Sequence, residues 1–274
     1  MQGGLRLLGL AAVFAMALAS DARASSVSSY LKLEGVPGEA NPPGQNGAIA
    51  VDSIGLGSAA LEITKHVDSS SASLAAAETA GTLFNDLTLS FYDDPNTAAA
   101  PDATLVLHTG LIQSIQSLTL GGQPAENVAL DYASPNLAIF LVLPGVSGES
   151  SSPGFSGVIQ LQSVVFSANG FTIEKAIDAT SSTLQAKLLA GTPYTTAMLL
   201  FYTDLATETH PDFSLVYHNA LETRFSDSGA EDRFVETVGF EGGGDTTVGH
   251  PLPEPVGGCA VALGLLALAR KRRR

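Results

Sequence analysis

The chain matches itself, without a gap, at an offset of 110 residues. Leu31-Lys32-Leu33-Glu34-Gly35-Val36-Pro37-Gly38-Glu39 aligns with Leu141-Val142-Leu143-Pro144-Gly145-Val146-Ser147-Gly148-Glu149. The same offset carries Lys65 to Lys175, Asp68 to Asp178, Leu74 to Leu184 and Gly81 to Gly191. It also carries Phe91-Tyr92 to Phe201-Tyr202, Asp94 to Asp204, His108 to His218 and Glu126 to Glu236. Solenoid repeats run roughly 20–50 residues, so this period is too long for one. It suits a small domain that closes its own core. Two such domains are expected, over 29–133 and 137–242, joined through Ala133-Ser134-Pro135-Asn136. So short a joint keeps them side by side. A duplicated domain serves assembly or multivalent binding more naturally than a single catalytic site.

Each copy reads as strand-rich with one helix. In the first, Tyr30-Leu31-Lys32-Leu33 alternates and leads to a turn at Gly35-Val36-Pro37-Gly38, and 39–47 is a loop rich in Pro, Gly and Asn. Strands are expected at Ala48–Ile54, Ala60–His66, Leu83–Tyr92, Ala103–His108, Ile112–Leu120 and Glu126–Tyr132. Between them, Ser69 to Gly81 carries capping serines, an Ala-rich middle and a closing glycine, the pattern of one short helix. The second copy repeats the order, with its helix over Thr180 to Gly191. Many strands with one helix after the third give an antiparallel β-barrel class.

The two ends read as addresses. Residues 1–24 combine Arg6, an apolar run from Leu7 to Ala19, and Ala22-Arg23-Ala24, with cleavage set by Ala22 and Ala24, as in a secretory signal peptide. After a 243–252 linker, Pro253, Glu254 and Pro255 precede an apolar stretch from Val256 to Ala269 and then Arg270-Lys271-Arg272-Arg273-Arg274. That three-part order over 253–274 resembles the PEP-CTERM sorting signal. The resemblance implies recognition and removal by an exosortase, after signal peptidase has acted at the other end. The apolar stretch falls short of the about 20 residues a stable span needs, so membrane contact is expected to be transient.

Taking Arg6, Arg23 and the five C-terminal cations from 13, and Asp21 and Glu254 from 27, leaves 6 basic and 25 acidic residues, net −19. Such a surface repels nucleic acid and anionic membrane. The lone cysteine, Cys259, lies in the sorting segment, so no disulfide is expected in the domains. The reading is therefore an exported protein of the cell envelope or extracellular space.

Tyr30-Leu31-Lys32-Leu33-Glu34-Gly35-Val36-Pro37-Gly38-Glu39 resembles the opening strand and turn of the Hcp proteins of type VI secretion. Ile63-Thr64-Lys65-His66-Val67-Asp68-Ser69-Ser70 resembles their Lys-x-x-Asp-x-Ser segment before the helix. Ser228-Gly229-Ala230-Glu231-Asp232-Arg233-Phe234-Val235-Glu236-Thr237-Val238 resembles their glycine turn and final strand. The likeness spans about 31–133 and 141–242. It implies a mainly β protein of two tandem Hcp-like antiparallel β-barrels, each with one short α-helix. Members of that family form six-membered rings that stack into tubes, so three two-domain chains would close a pseudo-sixfold trimer. The chain departs from the family in its duplication and its terminal signals.

Catalysis finds little support. His108 and His218 are equivalent and each follows an apolar strand, but a general base needs a partner within reach that sequence alone does not supply. His66, His210 and His250 have no counterparts, and no spacing suggests zinc. There is no Gly-x-Ser-x-Gly elbow, and Gly242-Gly243-Gly244 belongs to the tail linker. Asp93-Asp94-Pro95-Asn96 and Asp227 to Asp232 offer oxygens suited to calcium, without the spacing of an EF-hand. Lys65 with Asp68, and Lys175 with Asp178, are read as orienting the strand-to-helix turn. No cofactor is expected. The favoured function is a non-enzymatic, self-associating structural protein, and the alternative is a type VI secretion tube component or effector carrier.

Overall fold

A computed structural model describes residues 27–249, apart from 97, 134–136, 151–154, 168–169, 204–210, 231–232 and 243–245. The signal-cleavage residues Ala22 and Ala24, the Pro253-Glu254-Pro255 motif, the joint at 134–136, His210 and His250 lie outside the described residues. The first half runs β1 (Ser28–Leu33), β2 (Ile49–Val51), β3 (Ser53–Gly57), β4 (Ala60–His66), α1 (Ser70–Ala80), β5 (Leu83–Tyr92), β6 (Ala103–Leu120) and β7 (Gln123–Asp131). The second repeats it as β8 (Ala138–Val142), β9 (Ile159–Leu161), β10 (Ser163–Ser167), β11 (Gly170–Ala176), α2 (Thr180–Ala190), β12 (Tyr194–Tyr202), β13 (Phe213–Ala230) and β14 (Arg233–Gly242). A further strand, β15 (Thr246–Gly249), pairs with β13.

The mainly β, antiparallel class with one helix per half holds. The expected pair of separately closed barrels is replaced by one 15-stranded sheet. Its path is β2-β1-β5-β6-β7-β4-β3 through the first half and β10-β11-β14-β13-β12-β8-β9 through the second. Within the first half the two ends of the path, β2 and β3, are separated in the chain only by Asp52. The Asp52 amide bonds the Thr64 carbonyl at 2.8 Å, drawing the chain from β1 across to β4. Gln162 does the same with Glu174 at 2.8 Å in the second half. One kinked strand therefore stands where a single Ala48–Ile54 strand was expected, and it curls each half without closing a hydrogen-bonded ring.

The strands expected at Ala103–His108 and Ile112–Leu120 are one strand, β6, of 18 residues. It pairs with β5 up to Leu111 and with β7 from Leu111 onward. At the handover Thr109 takes φ 55, and its equivalent Asn219 takes φ 51. Such left-handed conformations are uncommon for residues other than glycine and mark a local bend.

The helix ends follow from sequence, with one correction. Gly81 and Gly191 adopt the left-handed conformation after α1 and α2, at φ 61 and φ 57, as their lack of a Cβ permits. The expected serine cap is absent, because Ser69 makes no side-chain cap bond. Asp68 does the capping instead: its Oδ1 accepts from the Ser70 amide at 2.9 Å.

One apolar cluster runs through both halves, and a smaller one gathers Phe140, Met198 and Tyr202 in the second half. Phe91 of the first half stacks on Phe213 at 5.0 Å between centroids, and Phe213 stacks on Phe201 at 4.4 Å. Offset aromatic pairs of this kind add about 0.5–1.5 kcal/mol beyond their buried area.

Candidate functional site

Two equivalent lysines are fully buried, and each is the hub of a polar node. Strand pairing sets Lys65 of β4 opposite Glu126 of β7. The turn into α1 then brings Asp68 and Ser71 over the same ammonium. Lys65 Nζ donates to Glu126 Oε1 at 2.9 Å, Asp68 Oδ1 at 2.8 Å, Ser71 Oγ at 3.2 Å and the His66 carbonyl at 2.7 Å. Lys175 repeats the arrangement with Glu236 at 2.7 Å, Asp178 at 2.8 Å, Ser181 at 3.5 Å and the Ala176 carbonyl at 2.7 Å. Burial alone would raise the Asp68 carboxyl, but the bonds from Lys65 and Ser70 outweigh it and hold it below its ordinary value. Asp178 is lowered against the same burial by Lys175 and Thr180. The nodes fasten sheet to helix, which is the orienting role expected of the Lys–Asp pairs. Sequence reasoning missed their third and fourth members, although Glu126 and Glu236 stood among the repeated positions.

The histidines are not treated alike. His108 is exposed and its Nδ1 lies 2.7 Å from Asp86 Oδ1. In the second half the residue paired opposite His218 is Thr196, so the pair was not duplicated. His66 reaches Asp52 only at 3.9 Å. Among the described hydrogen bonds no hydroxyl or thiol joins His108, so a nucleophile–base arrangement is not formed there.

The acidic loop at 93–96 is engaged in its own turn. Asp94 Oδ1 accepts from the Asn96 amide at 2.9 Å, and Asp93 Oδ1 accepts from the Val248 amide at 2.6 Å. Among the described residues no group of three or more His, Cys, Asp or Glu is placed to hold a metal ion. The tip of the Asp227–Asp232 segment, 231–232, lies outside the described residues.

The relation between the halves is the main finding for function. β3 pairs antiparallel with its own counterpart β10, in the register Ser53↔Ser167, Ile54↔Phe166, Gly55↔Val165, Leu56↔Val164 and Gly57↔Ser163. The register is symmetric under the 110-residue offset, and its centre falls between Gly55 and Val165. The seam is thus isologous, built from the same edge of both copies about a local twofold. A cleft of about 220 Å³ opens beside it, lined by residues including Tyr30, Asp52, Phe166 and Tyr217. Tyr132 anchors the far side by donating its hydroxyl to the Gly57 carbonyl.

Residues 58–137 match the family described as "Type VI secretion system effector, Hcp". Among solved structures, the chain is similar to Hcp1 from Salmonella typhimurium, with 22% identity over 38% of this chain and 80% of that one, at a TM-score of 0.34. Hcp2 from the same organism gives 19% identity over 40% and 92%, at a TM-score of 0.34. The secreted protein Hcp3 from Pseudomonas aeruginosa gives 15% identity over 42% and 98%, at a TM-score of 0.28. No curated protein matches. The family match, which runs from the end of β3 through α1 and β7, supports an Hcp-type fold in the first half.

Proposed function

We propose that the chain is an exported, non-enzymatic assembly protein of the cell envelope or extracellular matrix, built on a duplicated Hcp-type unit and trimmed at both ends. The observation that carries this reading is the isologous seam. Two copies of one unit are fused through equivalent edges, and the duplication has kept the buried structural nodes but not the His108–Asp86 pair. That is the pattern of a scaffold.

The seam also bears on assembly. A sixfold ring repeats a head-to-tail contact, whereas a local twofold returns each edge to its own counterpart. Three chains joined in a ring would therefore have threefold character and would have to meet through faces other than β3 and β10. At net −19 per trimmed chain such contacts repel at low salt, so association should strengthen with ionic strength.

A second reading is a type VI secretion tube component or effector carrier, favoured by the description of the matched family. The deciding experiment is to detect the chain outside cells that lack the type VI machinery and to measure its intact mass. A secreted chain starting near Ser25 and ending near Pro253 supports the favoured reading. Retention inside those cells, or both ends intact, overturns it in favour of the second.

A further inference from the structure

The two halves diverge beside the second lysine node. Tyr194 and Glu222 of the second half stand where the first half has Phe84 and Ile112. All four are buried, the first-half pair in an ordinary apolar core. Glu222 is only 3% exposed and Glu236 is 0% exposed. β12 places Tyr194 opposite Ala220, two residues before Glu222 on β13. Glu222 itself sits at the register shift that precedes Arg224. Both carboxyl oxygens of Glu222, Oε2 of Glu236 and the Tyr194 hydroxyl have no hydrogen-bond partner among the described residues.

An ionised Glu222 would be poorly supported here. On β14 the residue opposite it is Phe240, and the charge felt from that strand is the negative Glu236, whose Oε1 already accepts from Lys175 of β11. On β12 it faces Tyr194, a hydroxyl and not a cation. The Lys187 ammonium of α2 is placed over the Tyr194 ring, 5.4 Å from its centroid. Arg224 follows two residues later on the same strand. Burial first, and then the negative Glu236, push the Glu222 carboxyl up to about 8. An unpartnered buried charge is costly, and a neutral carboxyl in the same place costs much less.

We propose that a proton held on Glu222 keeps the second half closed, and that this half alone loosens as the solution passes from mildly acid to mildly alkaline. The sign follows from linkage. A carboxyl raised in the folded state contributes most below its ordinary value of 4.5, and the contribution is lost progressively up to about 8. Opening a segment that contains Glu222 should therefore become easier by up to about tenfold per pH unit across that window, and then level off. The first half has Ile112 and Phe84 at these places, and once its exposed histidines are replaced as His66→Gln and His108→Gln to remove the contacts with Asp52 and Asp86, it serves as an internal control.

The test is amide hydrogen exchange on the purified protein from about pH 5 to about pH 9, with protection corrected for intrinsic exchange. Protection in β12 to β14 should fall across the series while that in β5 to β7 stays level, and Glu222→Gln should flatten the second-half profile. The paired replacement Glu222→Ile with Tyr194→Phe, which installs the first-half residues, should do the same. Equal pH responses in the two halves, or an unchanged slope in Glu222→Gln, would overturn the proposal. If neither variant folds, infrared difference spectroscopy of the wild-type protein decides: a protonated carboxyl that ionises near pH 8 supports it, and its absence overturns it.

Discussion

Gly55 faces Val165 across the seam, and each is the other's equivalent in the repeat. In a dimer of identical chains the two positions on a twofold axis must carry the same residue. Two halves of one chain carry no such requirement, and here one position has no side chain while the other has one. A Cβ added to Gly55 would meet Val165 Cγ2 at 3.4 Å and Glu62 Cβ at 3.5 Å, so the valine occupies space the glycine leaves.

The seam should be the weak point for backbone substitution. Val165 pairs with Gly55 on one side and Thr172 on the other, so it sits inside the sheet. Val165→Pro removes a ladder donor there and should cost at least the about 1–3 kcal/mol of a buried acceptor left unsatisfied. Calorimetry should show the single transition splitting or falling sharply, and an unchanged melting curve would mean that the seam does not couple the halves.

Removing a node lysine should be severe, and more so in the second half. Lys65→Met and Lys175→Met each leave buried carboxylates without their cation, a loss of about 3–5 kcal/mol. Glu236 is 0% exposed against 6% for Glu126, so Lys175→Met should melt lower. Denaturant midpoints of the two variants test the order.

Acid should also unfold the protein through these nodes. Asp68 and Asp178 are held below their ordinary value of 3.8 in the folded state. Their contribution is therefore full above that value and is lost as pH falls through the folded values. Circular dichroism followed down from neutral pH should show stability declining below about pH 4, and Asp68→Asn should weaken that decline.

At the end of α2, Gly191→Val should destabilise more than Lys187→Ala. No atom lies within 4 Å of a Cβ built on Gly191, so the cost is conformational, about 1–2 kcal/mol at φ 57. Lys187 is half-buried and holds its cation over the Tyr194 ring, worth about 1 kcal/mol, between the exposed and desolvated cases. Melting shifts of the two variants, compared directly, check the ranking.

The repeat, the helices with their glycine ends and the strand order were legible because each depends on local pattern. The kink at Asp52 was not, because it is a backbone bond to Thr64 on another strand. The seam was hidden for the same reason: Ser53-Ile54-Gly55-Leu56-Gly57 declares a strand but not which strand lies beside it. The nodes were half visible, as Lys65 and Asp68 are close in sequence while Glu126 is a cross-strand partner. The Glu222 cluster was invisible for a different reason. Comparing copies by their identities picks out what stayed the same, and Glu222 against Ile112 is a difference.

The joining of the halves in one chain has a consequence at low concentration. A five-pair seam between separate molecules would come apart on dilution, since its population depends on how often two chains meet. Between halves of one chain the same contact is unimolecular, and its occupancy is independent of how much protein surrounds it. A molecule released into an open volume, where no cell maintains its concentration, would keep its pairing there.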